Sequence, residues 1–187
     1  LVSLLVVGIE GLQEYLGVIA TMTDFYGNTP YMTNPYLMVN WRALMVNTFP
    51  GIPADEALIA VAGLSVATFV ATLSVWGGPW NPASPRFSRQ TLALTVCIII
   101  TAYHSHLHAA MFLLIPAADL LQETGSPSGS RVTTILRAGY WASLELAAVS
   151  LILLSLAPAA QAFVPLSYGI FLMLLLLLGA IVVEETM

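Results

Sequence analysis

Three histidines, His104, His106 and His108, lie close together between two apolar runs of the chain. On a helix, His104 and His108 would share a face and His106 would point elsewhere, whereas in an extended turn all three could converge. Imidazoles can bind a metal, donate hydrogen bonds to an anion such as the phosphate of a lipid carrier, or be satisfied by backbone carbonyls and water. The spacing leaves these three interpretations open, and a polar cluster beside lipid-compatible sequence is typical of a functional site.

The residues around the histidines offer few further metal ligands. A metal site usually adds a cysteine or a carboxylate to its histidines. The nearest acidic residues, Asp119 and Glu123, are about three turns or more away if the helix continues. The one cysteine, Cys97, lies inside an apolar run, as a small buried hydrophobic residue does. We therefore predict no metal at the histidines and no other cofactor.

The composition is that of an integral membrane protein. Of 187 residues, 58% are hydrophobic and 8% are charged, whereas soluble domains carry roughly 25% charged residues. The basic residues are five arginines and no lysine, and the formal net charge is -5. Without a basic patch, nucleic acid is excluded as a partner. We predict a multi-pass protein of the cell membrane whose partners are the lipid bilayer and, if it belongs to a complex, other membrane subunits.

Three segments are long and apolar enough to cross a bilayer, which needs about 20 helical residues. They are residues 55–76, 134–157 and 163–183. We therefore predict that the whole chain, 1–187, is a single all-α transmembrane domain, a polytopic helical bundle. The run of leucines in the last segment indicates contact with lipid.

One carboxylate, Glu145, falls inside the second of these segments, about two turns beyond Arg137. The Arg137 side chain can extend to the membrane interface, but a carboxylate in mid-span must be protonated, paired or turned to a polar cavity. A structural pairing and a functional role both fit the sequence.

Residues 92–121 form either one long broken span or a hairpin of two short helices with the histidines at its turn. The hairpin separates Arg42 and the histidines from the other four arginines, which are Arg86, Arg89, Arg131 and Arg137. Basic loops stay in the cytoplasm, so the charge distribution favours the hairpin. Against it, arms of about 15 residues rise only about 22 Å, short of a hydrocarbon core of about 30 Å.

Residues 10–53 are predicted to form an interfacial amphipathic helix followed by a long extracytoplasmic loop. The helix places Leu12, Leu16 and Ile19 on one face. Four prolines break the loop over residues 23–53, so that only residues 36–47 can form a short helix. The loop aromatics fit an interfacial belt, or the wall of a carbohydrate or lipid-headgroup site in which Arg42 is the anion partner. These aromatics are Phe25, Tyr26, Tyr31, Tyr36 and Trp41.

The first residues, LVSLLVVGIE, lack the basic region of a signal peptide. Their run of about nine apolar residues is too short to cross a bilayer. We expect them to be the end of a membrane helix and the chain to be truncated at its N-terminus.

Three stretches of the chain resemble the polytopic glycosyltransferases of family 87, also called DUF2029. YHSHLHAAMFLLIPAADLL resembles the family's segment of type Y-H-x-H-x-H-D-L-x-L-L-L-L-P. SLLVVGIEGLQEYLGVI resembles its helix end and G-x-x-x-Y-L interface helix, and YLMVNWRALMVNTFPG resembles its M-x-N-x-R-G-L segment. Order and spacing agree over most of residues 3–122, whereas the last two spans are too generic to compare.

The resemblance implies a GT-C-like fold, here its C-terminal half, and a reaction on the extracytoplasmic face. Such an enzyme moves a sugar, often mannose, from a polyprenyl-phosphate carrier to an acceptor with inversion, and a carboxylate acts as base on the acceptor hydroxyl. The chain would be the carrier-binding half of such a hexosyltransferase. By motif match, the residues that would bind the carrier phosphate and the sugar are Asn40, Arg42, His104, His106 and His108.

Two departures separate the chain from the family. The family's aspartate after the third histidine is Ala109 here. The catalytic aspartate of GT-C enzymes lies in a first external loop, and no residue of this chain matches it, since Asp24 occupies a different position. The catalytic residue therefore stays unassigned, and the sequence does not decide whether the chain is an enzyme.

Two other functions fit the sequence. The first is a non-catalytic helical subunit of a larger membrane complex, redox or photosynthetic, which Ala109 and the lack of a matching catalytic aspartate favour. The second is a membrane metal-binding subunit of the copper-monooxygenase type, built on the three histidines. If the glycosyltransferase interpretation holds, the tyrosine-rich loop and the histidine turn should meet at one membrane surface, with Arg42 and His104 on the same side.

Overall fold

A computed structural model describes residues 8–14, 17, 35–78, 81–122, 131–156 and 160–186. Within these residues the chain is helical and forms no strand, so the all-α prediction is confirmed. Three helical segments are long and apolar enough to cross a membrane: Ala54–Val75, Arg131–Leu156 and Gln161–Thr186. They coincide with the three predicted spans to within a few residues at each end. The multi-pass architecture is thus confirmed at the level of helix length and composition.

Among the described residues, the bundle contains six α-helices, beside a helical stretch at residues 8–14 that belongs to the predicted interfacial helix. The six are α1 (Trp41–Thr48), α2 (Ala54–Val75), α3 (Pro85–Thr101), α4 (Leu114–Gln122), α5 (Arg131–Leu156) and α6 (Val164–Thr186). Short 3-10 helices at Pro35–Leu37, Leu107–Leu113 and Ala160–Phe163 precede α1, α4 and α6. The rest of the predicted interfacial face, at Leu16 and Ile19, lies outside the described residues.

The histidine region is the turn of a hairpin, which decides between the two arrangements that the sequence left open. α3 begins after its cap Ser84, whose Oγ accepts a hydrogen bond from Phe87 N–H at 3.2 Å. The chain turns through residues 102–106 and returns as a 3-10 helix and α4, both of which contact α3. Ile99 of α3 and Phe112 of the returning arm line one lateral groove between the two arms. The arms therefore lie side by side.

α6 is the central helix of the bundle and contacts α2, α3 and α5. Its buried side chains recur every three or four residues, which is the spacing of one helical face; they include Ile170, Leu174, Leu177 and Ile181. Other side chains of the same run, such as Leu172 and Leu176, are exposed. The leucine run therefore contacts neighbouring helices on one face of α6, and uniform apolar sequence carries no signal for which face they cover.

One end of the bundle is tied together by carboxylates of α6. Glu185 pairs with Arg86 (Nε to Oε2, 2.9 Å) and with Arg89 (Nε to Oε1, 2.5 Å), both on α3. Glu184 accepts a hydrogen bond from the backbone N–H of Val132 at 3.3 Å, near the start of α5. We call this the arginine end of the bundle; α3 and α5 begin here and α6 ends here.

The opposite end, which we call the histidine end, holds the hairpin turn and residues 35–48. Near the start of α6, the hydroxyl of Ser167 donates to the carbonyl oxygen of Tyr36 at 2.7 Å. Arg42 lies at this end with the histidines, whereas the other four arginines lie at or toward the arginine end. This is the distribution of charge that the hairpin predicted.

Trp41 belongs to the core and not to an interfacial aromatic belt. Its Nε1 donates to Thr68 Oγ1 at 3.0 Å, and its ring meets that of Phe171 edge-to-face with 4.9 Å between centroids. The belt prediction is wrong for this residue, because α1 packs against α2, touches α6 through Phe171 and Tyr168, and buries its first turn. Of the other loop aromatics, Tyr36 is half-buried and its hydroxyl accepts a hydrogen bond from Gln161 Nε2 at 3.2 Å. Phe25, Tyr26 and Tyr31, and the carboxylate Asp24, lie outside the described residues.

Candidate functional site

Backbone hydrogen bonds join the hairpin turn to the segment before α1. Val39 N–H donates to Ser105 O at 2.8 Å, and Met38 and His106 form a single antiparallel bridge. Two segments far apart in the sequence thus make one surface at the histidine end. This is the meeting of loop and turn that the glycosyltransferase interpretation required.

Asn40 fixes both segments at once. Its Oδ1 accepts from Ala43 N–H at 2.8 Å and so caps α1. Its Nδ2 donates to the carbonyl oxygens of Ala102 at 2.8 Å and Tyr103 at 3.0 Å. The side chain is only 2% exposed, and its polar atoms are used within the protein. Asn40 therefore positions the histidine turn, and its contact with a carrier stays a prediction.

Arg42 lies beneath the turn and is 1% exposed. Its guanidinium carbon is 4.7 Å from the centroid of the Tyr103 ring, a cation–π contact, and its Nη1 is 3.5 Å from Met38 Sδ. From this position Arg42 acts on the turn through its charge. The direct contact with a carrier phosphate that the resemblance implies would require the turn to move, and it too stays a prediction.

The turn is set back from the outer end of the bundle. α3 has 17 residues and α2 has 22. At the arginine end, Gln90 of α3 donates through Nε2 to the carbonyl oxygen of Val75, the last residue of α2, at 2.9 Å. At 1.5 Å per residue, the turn then lies about 8 Å or more below the first residue of α2. Residues 35–48 fold into this step beside the turn.

The three imidazoles differ in exposure. His104 and His108 are exposed, whereas His106 is half-buried and its backbone pairs with Met38. The rings of His106 and His108 stack at 5.5 Å with 14° between their planes, and the Tyr103 ring meets His104 edge-on at 4.9 Å. His104 and His108 are therefore the two imidazoles that an incoming ligand can reach without a rearrangement.

The histidine cluster does not have the geometry of a metal site. Among the described residues, no three side chains of His, Cys, Asp or Glu are grouped so that they could hold a metal ion. Nitrogen lone pairs lie in the ring plane, so the nearly parallel rings of His106 and His108 do not aim theirs at a common point. The copper-site hypothesis therefore lacks the three ligands that it needs.

Partial desolvation by neighbouring atoms and nearby positive charge lower the pKa of two of the histidines, which lie in the turn and outside the spanning helices. For His104 the causes are burial first, then the positive charge of Arg42, then that of His106. For His106 they are burial and then the charge of His108. The lowered pKa values favour the neutral form of both imidazoles, and a neutral imidazole still carries one N–H that can donate to an anion.

Two residues of the site were not singled out as site residues by the sequence. Tyr103 carries the cation–π contact with Arg42, and Met38 pairs with the turn and contacts Arg42 through its sulfur. The sequence motifs contain both residues: Tyr103 is the Y before the first histidine, and Met38 is the M of M-x-N-x-R. The two motifs meet through these residues.

Comparisons of the chain with protein-family models, with curated proteins and with solved structures find no match.

We predict that Asn40→Ala releases the turn from α1. The variant leaves the carbonyls of Ala102 and Tyr103 and the N–H of Ala43 without these partners, which should cost about 2–4 kcal/mol from one helix cap and two buried hydrogen bonds. Thermal or denaturant unfolding in detergent micelles measures the loss, and hydrogen exchange of the Val39 N–H reports whether the turn has separated.

Asn47→Ala is the matched control for this prediction. Asn47 lies in the same helix but makes one hydrogen bond, from Nδ2 to the carbonyl oxygen of Pro35 at 3.2 Å. Its loss should be about 1 kcal/mol. Equal destabilisation by the two variants would contradict the assigned role of Asn40.

A second prediction concerns pH. An unfolded histidine has its ordinary pKa near 6.5, and His104 and His106 have lower values in the folded protein. Below pH of about 6.5 the unfolded chain therefore binds more protons, so stability that is present at pH 7 is lost as the pH falls through the folded pKa values. Unfolding measured between pH 7.5 and 5 should show this loss, and His104→Gln combined with His106→Gln should reduce it.

Imidazole NMR separates the causes of these two shifts. Arg42→Gln should raise the pKa of His104 toward its ordinary value, Arg42→Lys should keep it low, and the pKa of His106 should change little in either variant because Arg42 is not among its causes. If His104 titrates identically in all three proteins, the charge of Arg42 does not act on the turn.

Proposed function

We propose that the chain is the carrier-binding part of a membrane glycosyltransferase that uses a polyprenyl-phosphate-linked sugar, and that the hairpin turn receives the anionic head of this carrier. One observation carries the proposal. The segment that resembles M-x-N-x-R and the turn that resembles Y-H-x-H-x-H are joined by hydrogen bonds at the same end of the bundle.

The site offers two kinds of support for an anion. His104 and His108 are exposed and can donate N–H hydrogen bonds directly to phosphate oxygens. Arg42 lies beneath the turn, so its buried guanidinium makes the turn electropositive without occupying its surface. An anion that binds here would also raise the pKa of the neutral imidazoles and strengthen its own hydrogen bonds.

The charge of the two ends supports an extracytoplasmic position for the site. Arg86 and Arg89 start α3 and Arg131 starts α5, so the arginine end carries most of the basic residues. Basic segments beside membrane helices stay in the cytoplasm. The histidine end would then face the opposite side, where a carrier with its tail in the bilayer presents its phosphate and sugar.

The reaction would be a single inverting displacement at the anomeric carbon of the sugar. The acceptor hydroxyl gives its proton to a carboxylate, its oxygen forms the new bond to the anomeric carbon, and the bond to the carrier phosphate breaks so that polyprenyl phosphate leaves. Asp55 and Glu56 are exposed and begin α2 at the histidine end. Among the described residues at this end of α2, these two carboxylates are the candidates for the base.

Removing both exposed imidazoles tests this proposal. His104→Ala with His108→Ala should weaken binding of a short-chain polyprenyl phosphate by about tenfold or more, because two hydrogen bonds to a charged group are lost. Titration of the purified protein in detergent with the unglycosylated carrier measures the affinity, and sugar transfer in membranes that contain the variant measures the reaction.

Asn81→Ala, an exposed change near the arginine end, is the control and should leave the affinity unchanged. Unchanged carrier binding in the double histidine variant, or sugar transfer that survives it, would overturn the proposal.

A second candidate function, a subunit of a larger membrane complex, is favoured by Glu145. This residue lies about 21 Å along α5 from its first residue and is exposed. Among the described residues its carboxylate has no ion-pair partner. A carboxylate that faces lipid in mid-span costs about 2–3 kcal/mol or more, so a neighbouring helix with a basic or hydrogen-bond-donating side chain would relieve it.

Extraction from native membranes with a mild detergent tests the subunit candidate. In a complex, the wild-type chain should migrate on a native gel well above its own 20.0 kDa, and Glu145→Leu should release it, whereas the exposed terminal change Glu56→Gln should not. Visible absorption would identify a cofactor-bearing complex. A colourless wild-type monomer would rule this candidate out.

A further inference from the structure

A lateral groove opens between the returning arm of the hairpin, α5 and α6. Its volume is about 490 Å³, which falls within the range of about 300–1,000 Å³ for ligand pockets. The lining is apolar along the returning arm, from Leu107 to Ala117, and on α6 at Ile170. The histidine turn does not line this groove, and the function proposed above does not use it.

Arg137 is the one charged side chain among the described residues that line the groove. Tyr140 and Trp141 follow it by three and four residues, so all three lie on one face of α5. The two aromatic side chains are exposed, and their rings pack edge-to-face with 5.6 Å between the centroids. Arginine side chains extend from within a span to the headgroup level of a bilayer, where lipid phosphates lie.

We propose that this groove binds an anionic phospholipid, with the lipid phosphate at Arg137 and one acyl chain along the groove toward Leu107. The returning arm supplies the length, because seven residues of 3-10 helix and four of α-helix extend about 20 Å. The arrangement places a positive charge at the end of an apolar channel, which is complementary to a phosphate attached to a hydrocarbon chain.

The position of Arg137 on α5 indicates from which leaflet of the bilayer the lipid would enter the groove. It lies six residues from the first residue of α5, about 9 Å from the arginine end. The lipid would therefore come from the leaflet at the arginine end, opposite to the histidine turn. The proposal is thus independent of the carrier site, which lies at the other end of the bundle.

Lipid retention by the purified full chain tests the proposal. Native mass spectrometry after incubation with equal amounts of phosphatidylglycerol and phosphatidylcholine of the same acyl chains should show about fivefold more bound phosphatidylglycerol, as expected for one arginine beside an anionic headgroup. Arg137→Gln should abolish this preference, and Arg137→Lys should keep most of it. Phosphatidylglycerol with brominated acyl chains should also quench the fluorescence of Trp141.

Arg131→Gln is the matched control, since Arg131 is exposed on the same helix but does not line the groove; it should keep the preference. Equal retention of the two lipids by the wild type, or equal effects of the two arginine variants, would overturn the proposal. Displacement of phosphatidylglycerol by stoichiometric polyprenyl phosphate would overturn it too, because the groove would then hold the carrier tail. His104→Ala should leave phosphatidylglycerol retention unchanged, which separates this result from the carrier site.

Discussion

The hydrogen bonds from Val39 and Asn40 to the hairpin turn are the constraint on which the histidine end depends. α3 is too short to reach the outer end of the bundle, so the turn that follows it leaves the backbone carbonyls of Ala102 and Tyr103 without helical partners. Such groups must be satisfied within the protein. The segment before α1 does this, and by doing so it carries Arg42 beneath the turn. Position, electrostatics and access at the site all follow from this one junction.

Charged side chains have different roles at the two ends of the bundle. Glu185 engages Arg86 and Arg89, so the arginine end is closed by ion pairs between α3 and α6. At the histidine end the one arginine, Arg42, lies against the Tyr103 ring, and its positive charge contributes to lowering the pKa of His104. One end therefore uses charge to hold helices together, and the other has charge available to act on a ligand.

The returning arm of the hairpin connects the two sites that we propose. Its first residues complete the histidine turn, and the apolar side chains that follow form one wall of the groove at α5. The same short helices thus serve a polar function at the turn and an apolar one along the bundle. This arrangement depends on the arm folding back, since a single crossing would have carried Leu107 to Ala117 away from α3.

The sequence by itself determined the helical class, the three apolar helices of spanning length and the separation of Arg42 from the other four arginines, because hydropathy, proline and charge act locally and over whole segments. The tertiary structure decided what depends on partners distant in the chain. The sequence does not distinguish whether Asn40 and Arg42 face a ligand or lie beneath a turn. Both are buried only because α1 docks against the rest of the bundle. The sequence likewise does not distinguish the buried leucines of α6 from the exposed ones, because the difference depends on which face α2, α3 and α5 cover. The type of a residue determines whether its side chain must be buried or hydrogen-bonded, and tertiary packing determines where in the structure this occurs.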